Sequence, residues 1–181
     1  MARRDVSRGR RTTCYIGFGT VPYFADAVPE ITAAVEGAVS VGLRVVVTTS
    51  DAALAQQLRA RGHGDVEVRE FVSLPELLPE CRLVVSHGGA GTTLAALASG
   101  VPLVVVPRGA PSQERMARAV VGAGVGRLAR ARGTEAAAVA GAVRAAAEDE
   151  TLFARAQEAQ LDIAAMPAPD TLVQPLEAVF G

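Results

Sequence analysis

Leu83-Val84-Val85-Ser86-His87-Gly88-Gly89-Ala90-Gly91-Thr92-Thr93-Leu94 is the stretch on which the reading of this chain turns. Leu83 to Val85 is a short apolar run, the pattern of a strand buried on both faces of a parallel sheet. Ser86 and His87 fall where such a strand ends. Gly88 and Gly89 allow a sharp turn and a close approach of backbone to a ligand. From Gly91 the run Thr92-Thr93-Leu94-Ala95-Ala96-Leu97-Ala98 reads as a helix, stopped by Gly100 and Pro102. Strand, glycine turn and helix N-terminus together make an anion site, because the first amides of a helix are unpaired and its dipole favours negative charge. His87 and the hydroxyls of Thr92 and Thr93 add donors suited to a phosphate. Glycine turns of this kind also occur in α/β proteins that hold no ligand, and a lone histidine is as readily a structural polar residue. Both readings stand at this point.

A second junction follows. Val101 to Val106 is an apolar run, and Ser112-Gln113 opens another helix, so its loop belongs on the same sheet edge. Upstream, Thr13 to Phe18 reads as the first strand, and Gly17-Phe18-Gly19-Thr20 turns the chain. As a dinucleotide fingerprint this turn is incomplete, since position 22 is Pro. Asp51, the one carboxylate placed to hold a ribose, is better explained as a helix cap, which argues against a dehydrogenase. Gly19 and Thr20 still sit at a strand's C-terminal end, where open α/β sheets bind ligands. Ile31, Ala34, Val35, Ala38 and Val39 recur at helical spacing, Arg44 to Thr48 is a strand, and Val66 to Phe71 alternates as a third. Met116, Val120 and Val121 are expected to face the core from the helix opened by Ser112. Thr134 is expected to cap a helix running from Glu135 to Glu148, and Leu152 to Met166 forms one more. The expected architecture is a doubly wound, Rossmann-like parallel sheet of about six strands with helices on both faces.

The chain has 181 residues, half of them hydrophobic, which is one domain with a real core. Its net charge of −1 implies no general attraction to nucleic acid or membrane. All 18 basic residues are Arg, and five of them crowd residues 1–12; a nucleic-acid or lipid arm is one reading, but the absence of aromatic residues and helical periodicity favours a solvated tail. Two cysteines, Cys14 and Cys81, match no metal spacing and suggest reduced thiols in the cytoplasm. His63, in a glycine turn, is expected to be inert. Asp65 and Glu67 do not make a metal-holding D-x-D pair, so metal-free chemistry is expected.

Phe71-Val72, Leu78-Pro79, the run from His87 to Thr93, Gly100-Val101-Pro102 and the Gln113 helix occur in an order that resembles nucleotide-sugar glycosyltransferases of the GT-B fold. The likeness is to the antibiotic and macrolide glycosyltransferases of bacteria, within the UDP-glycosyltransferase superfamily. It runs from Thr13 to Ala165 and covers only the C-terminal, donor-binding half of such an enzyme. The resemblance implies that residues 13–166 bind a nucleoside diphosphate sugar. Residues 1–12 then correspond to the linker from an acceptor-binding domain. Residues 167–181, with Leu172, Val173, Leu176 and Phe180, correspond to a C-terminal helix meeting that domain.

Residue by residue, the resemblance assigns His87, Gly89, Ala90, Gly91, Thr92 and Thr93, with Gly19 and Thr20, to the diphosphate. It assigns Phe71 to stacking on the base, a place Phe71 shares with an equally simple core role, and the backbone of Val72 to the base edge. Ser112 and Gln113 face the sugar, where the family commonly shows Asp-Gln. Ser112 replaces the carboxylate, and the loop is one residue longer. Leu74 and Ala95 also depart from the pattern. The implied reaction is inverting transfer of the sugar to a small natural product, with a UDP, dTDP or GDP sugar as donor substrate and no cofactor. The base that activates the acceptor is expected on an N-terminal domain, none being matched in this half. Three readings remain open: the donor half of a two-domain glycosyltransferase, a stand-alone donor subunit that pairs with a second protein, and a non-catalytic nucleotide-sugar binding module.

Overall fold

The computed structural model describes residues 11–19, 27–62, 65–130 and 136–180. Six strands form one parallel sheet: β1 (Thr13–Gly17), β2 (Arg44–Thr48), β3 (Val66–Arg69), β4 (Cys81–Ser86), β5 (Leu103–Val105) and β6 (Gly126–Leu128). Their order is β3-β2-β1-β4-β5-β6. The helices are α1 (Val28–Ser40), α2 (Ala52–Ala60), α3 (Leu74–Leu77), α4 (Ala90–Ala98), α5 (Pro111–Gly122), α6 (Ala136–Ala147), α7 (Glu150–Ala164) and α8 (Val173–Phe180). The strand order reverses between β1 and β4, which creates the crevice where open α/β sheets bind ligands.

The strands read as unbroken apolar runs because both sheet faces are covered. Successive side chains alternate between two cores. Cys14, Ile16, Val45, Val47, Leu83, Val85 and Val104 pack with α1, α2 and α6 on one face. Tyr15, Val46, Val84, Leu103 and Val105 pack with Leu77, Leu78, Ala96, Ala117 and Val120 on the other. α1 and α6 touch through small residues, since a methyl added at Gly37 would lie 2.7 Å from the Ala140 carbonyl oxygen. Below the sheet, Arg82 donates from Nε to the Ala147 carbonyl at 3.0 Å and pairs with Glu150. Its guanidinium lies 4.6 Å from the centre of the Phe153 ring, which ties the α6–α7 junction to β4.

Some expectations are refined. β3 ends at Arg69, so Phe71 lies beyond the strand, and it is 82% exposed; a core role for Phe71 is thereby removed. Val121 is 46% exposed, not buried, because Ala117 and Val120 occupy the core-facing side of α5 and the next residue turns outward. Cys14 and Cys81 are free and buried, and burial pushes both thiols up, Cys81 to about 12. Residues 1–10, Thr20, His63 and Thr134 lie outside the described residues, as do the side chains of Leu172 and Phe180. Among the described residues no helix is long and apolar enough to cross a membrane.

Asp51 is the N-cap of α2, accepting from the Ala53 amide at 2.8 Å and the Leu54 amide at 3.0 Å. Asp51→Ala is expected to cost about 1 kcal/mol of stability. A calorimetric scan should show Tm lower by roughly 2–4 °C for a chain of this size.

Candidate functional site

The C-terminal sheet edge is marked by Gly17, Thr48, Ser86 and Val105, which share one register across β1, β2, β4 and β5. Beyond it the chain leaving β1 enters α1 on one face, and the chain leaving β4 enters α4 on the other. The turn after β4 is pinned. The Gly88 amide donates to Ser86 Oγ at 3.3 Å. Gly88 has φ +88°, and a methyl there would lie 2.8 Å from Val105 Cγ1 and 3.3 Å from the Gln113 carbonyl oxygen. Only glycine meets both conditions.

Gly89 caps α4, and the first helical hydrogen bond runs from the Thr93 amide to the Gly89 carbonyl at 3.0 Å. The amides of Ala90, Gly91 and Thr92 precede that bond, so they are the helix-start donors that an anion would meet. Thr93 is different. Its amide and its hydroxyl, at 2.9 Å, both go to the Gly89 carbonyl, and the residue is 1% exposed. Its hydroxyl is engaged on the cap, whereas Thr92 is partly exposed and lines the pocket.

The half-buried His87 ring fills the space between two glycines. A methyl added at Gly19 would lie 3.1 Å from His87 Cε1, and one at Gly89 would lie 2.7 Å from Nε2. Gly19 also has φ +82°. Both glycines therefore serve the imidazole directly, besides shaping their turns. Burial lowers the pKa of His87 from its ordinary value of 6.5, which favours the neutral ring, whereas an adjacent anion would favour its charged form.

A pocket of about 210 Å³ opens beside this turn. Gly19 and Thr92 line one end, and Phe71, Val72 and Leu74 line the other. Tyr15 and Thr48 lie between, their hydroxyls 2.8 Å apart. Thr49, Ser50 and Glu70 complete the wall. Gly19 and Thr92, two of the residues expected at the diphosphate, thus line the same cavity as Phe71 and Val72, expected at the base. The hydroxyl run Thr48-Thr49-Ser50 was not singled out from sequence; its signal was three hydroxyl residues directly after an apolar strand.

Ser112 and Gln113 lie on the opposite flank of the turn. Ser112 is exposed. Gln113 is 7% exposed, and its Oε1 accepts from the Arg108 amide at 2.7 Å. Arg108 also pairs with Glu30 of α1, a nearly buried carboxylate that the sequence reading passed over.

Residues 33–179 match the family described as erythromycin biosynthesis protein CIII-like, C-terminal domain. The chain belongs to that family. Elloramycin glycosyltransferase ElmGT of Streptomyces olivaceus is 38% identical over 117 residues, covering 64% of this chain and 28% of its own length. Among solved structures, the glycosyltransferase SnogD from Streptomyces nogalater is 26% identical with a TM-score of 0.74, over 97% of this chain and 46% of its own. The glycosyltransferase SsfS6 of Streptomyces sp. SF2575, complexed with thymidine diphosphate, is 27% identical with a TM-score of 0.68, over 96% and 43%. The chain therefore spans less than half the length of each of these relatives. The doubly wound sheet is that of one GT-B half, as the sequence resemblance implied.

The depressed His87 pKa gives a testable sign. In the ligand-free chain the ring should titrate below 6.5 by NMR. A folded pKa below the unfolded one means that the neutral ring's contribution is intact above about pH 6.5 and is lost as pH falls through the folded value. Urea unfolding of wild type and His87→Ala between about pH 7 and 5 should show a steeper loss in the wild type. Parallel curves would remove His87 as the cause.

Proposed function

We propose that this chain is the donor-binding half of a glycosyltransferase, holding a nucleoside diphosphate sugar for transfer to a small natural-product acceptor. The observation that carries the reading is the single pocket joining exposed Phe71 to the N-terminus of α4. In this reading the base stacks on Phe71 and its edge meets the backbone of Val72. The hydroxyls of Thr48, Thr49 and Ser50 flank the pentose. The diphosphate lies at Gly19 and on the amides of Ala90, Gly91 and Thr92, within reach of Thr92 Oγ1 and His87. The sugar projects toward Ser112 and the loop that Gln113 holds.

The chemistry assigned to this half is leaving-group stabilisation. Breaking the bond between the anomeric carbon and the β-phosphate oxygen builds negative charge on that phosphate. Fixed amides at a helix start meet the charge without reorganising, which is where such donors contribute most. His87, whose burial disfavours the charged ring, gains affinity for a proton as the anion settles beside it. The acceptor hydroxyl and its base are assigned to an N-terminal domain. The exposed Val173, Leu176 and Val179 of α8 suit a contact with such a domain. The thymidine diphosphate bound to SsfS6 supports a pyrimidine nucleotide as ligand.

The purified chain should be stabilised by dTDP or UDP and not by thymidine or uridine. At ligand about 100 times Kd the gain is roughly 2.7 kcal/mol. Phe71→Ala should leave the unliganded Tm almost unchanged, because the side chain is exposed, yet weaken nucleotide binding by about 1–3 kcal/mol, the range for base stacking on an aromatic ring. A Tm indifferent to every nucleoside diphosphate would contradict the donor-binding reading.

A further inference from the structure

We propose that Glu30 and Arg108 are positioning residues for the sugar end of the donor, acting through the loop between β5 and α5. This rests on the donor-binding reading above. Glu30 sits in the first turn of α1, only 7% exposed, and pairs with Arg108 across 78 residues of chain. α1 follows β1, and the loop of Arg108 follows β5. These strands are the two neighbours of β4, which leads directly into His87. The pair thus joins the two segments that leave the sheet on either side of the phosphate turn.

The loop itself is built backward from that pair. Val106 donates to the Ser86 carbonyl at 2.8 Å, which fixes its start to the end of β4. The Arg108 amide donates to Gln113 Oε1 at 2.7 Å, and the Gln113 amide donates to the Ala110 carbonyl at 3.0 Å. Gln113 in turn lies against Gly88, where an added methyl would come within 3.3 Å of its carbonyl oxygen. With its side-chain oxygen engaged on Arg108, Gln113 acts as the loop's staple. Exposed Ser112 is left to face a sugar hydroxyl.

Stability alone does not account for the pair. Replacing a buried ion pair by neutral groups of similar size is often neutral or stabilising, and the best-attested use of such pairs is to specify one arrangement among several. Glu30 Oε2 is buried without a hydrogen-bond partner among the described residues. Such an oxygen raises the cost of keeping the charge there. A carboxylate kept at that cost beside the site edge fits a demand for one loop geometry.

The test compares each nucleoside diphosphate with its sugar ester. Wild type, Glu30→Gln and the double neutral variant Glu30→Gln with Arg108→Gln are titrated calorimetrically with dTDP, dTDP-glucose, UDP and UDP-glucose. The double variant carries no unpaired charge and keeps the assay informative should the single variant fold poorly. Both variants are expected to bind the sugar ester about tenfold more weakly, while the nucleoside diphosphate changes by less than about twofold. Hydrogen exchange should accelerate at the Arg108 and Gln113 amides and stay unchanged at the Thr93 amide. An equal loss for ester and diphosphate, or no loss for either, overturns the positioning role. Failure of wild type to bind any nucleoside diphosphate overturns the donor-binding reading instead.

Discussion

The start of α4 leaves three backbone amides, those of Ala90, Gly91 and Thr92, ahead of the first helical hydrogen bond at Thr93. Such donors are met by capping side chains, water or a ligand, and in the reading proposed above the partner is the diphosphate. Each neighbouring feature follows from keeping that helix start bare and correctly aimed. Gly88 brings the turn onto Val105 and Gln113. Thr93 spends both its donors on the Gly89 carbonyl, which locks the cap without adding a side chain to the ligand space. A lone anion at a helix start is worth only about 0.3–1 kcal/mol when exposed and up to about 2 kcal/mol when partly buried. Useful affinity therefore needs the second half of the pocket, where Phe71, Val72 and Leu74 supply apolar surface.

The architecture separates stability from binding. Two apolar layers, one on each sheet face, hold nearly all the large buried side chains, and neither includes His87, Phe71 or Thr92. The residues assigned to the ligand stand at strand ends, in loops and at the first turn of α4, where substitution leaves the cores intact. The exceptions are informative. Tyr15 belongs to a core and also lines the pocket through its hydroxyl, paired with Thr48. Gly19 and Gly89 hold no core position, yet any side chain there would displace the imidazole. Glu30 is buried for the sake of a partner in a loop rather than for packing.

Much of this was legible in the sequence. Unbroken apolar runs at Val45–Val47, Leu83–Val85 and Leu103–Val106 announce strands covered on both faces, and the glycines after Ser86 announce the turn. The cap at Asp51 is readable because a short carboxylate before an apolar helical pattern has one usual purpose. Local pattern cannot say which way a side chain points once three-dimensional neighbours compete for it. Thr92 and Thr93 look equivalent in sequence, but the helix rotates one outward and the other onto the Gly89 carbonyl. The engagement of the Gln113 oxygen by the Arg108 amide is likewise invisible in the sequence. The Glu30–Arg108 pair joins residues 78 apart, a distance over which neither periodicity nor motif gives any signal.

Amide chemical shifts report most directly on the proposed anion site at α4. A ¹H–¹⁵N titration of the chain with dTDP or UDP should move the resonances of Ala90, Gly91 and Thr92 most strongly. Gly19 and Val72 should follow, and the Thr93 amide, already bonded to Gly89, should move less. Inorganic pyrophosphate should reproduce the α4 shifts without those at Val72. Saturable nucleotide binding that leaves the Ala90, Gly91 and Thr92 amides unmoved would contradict the account.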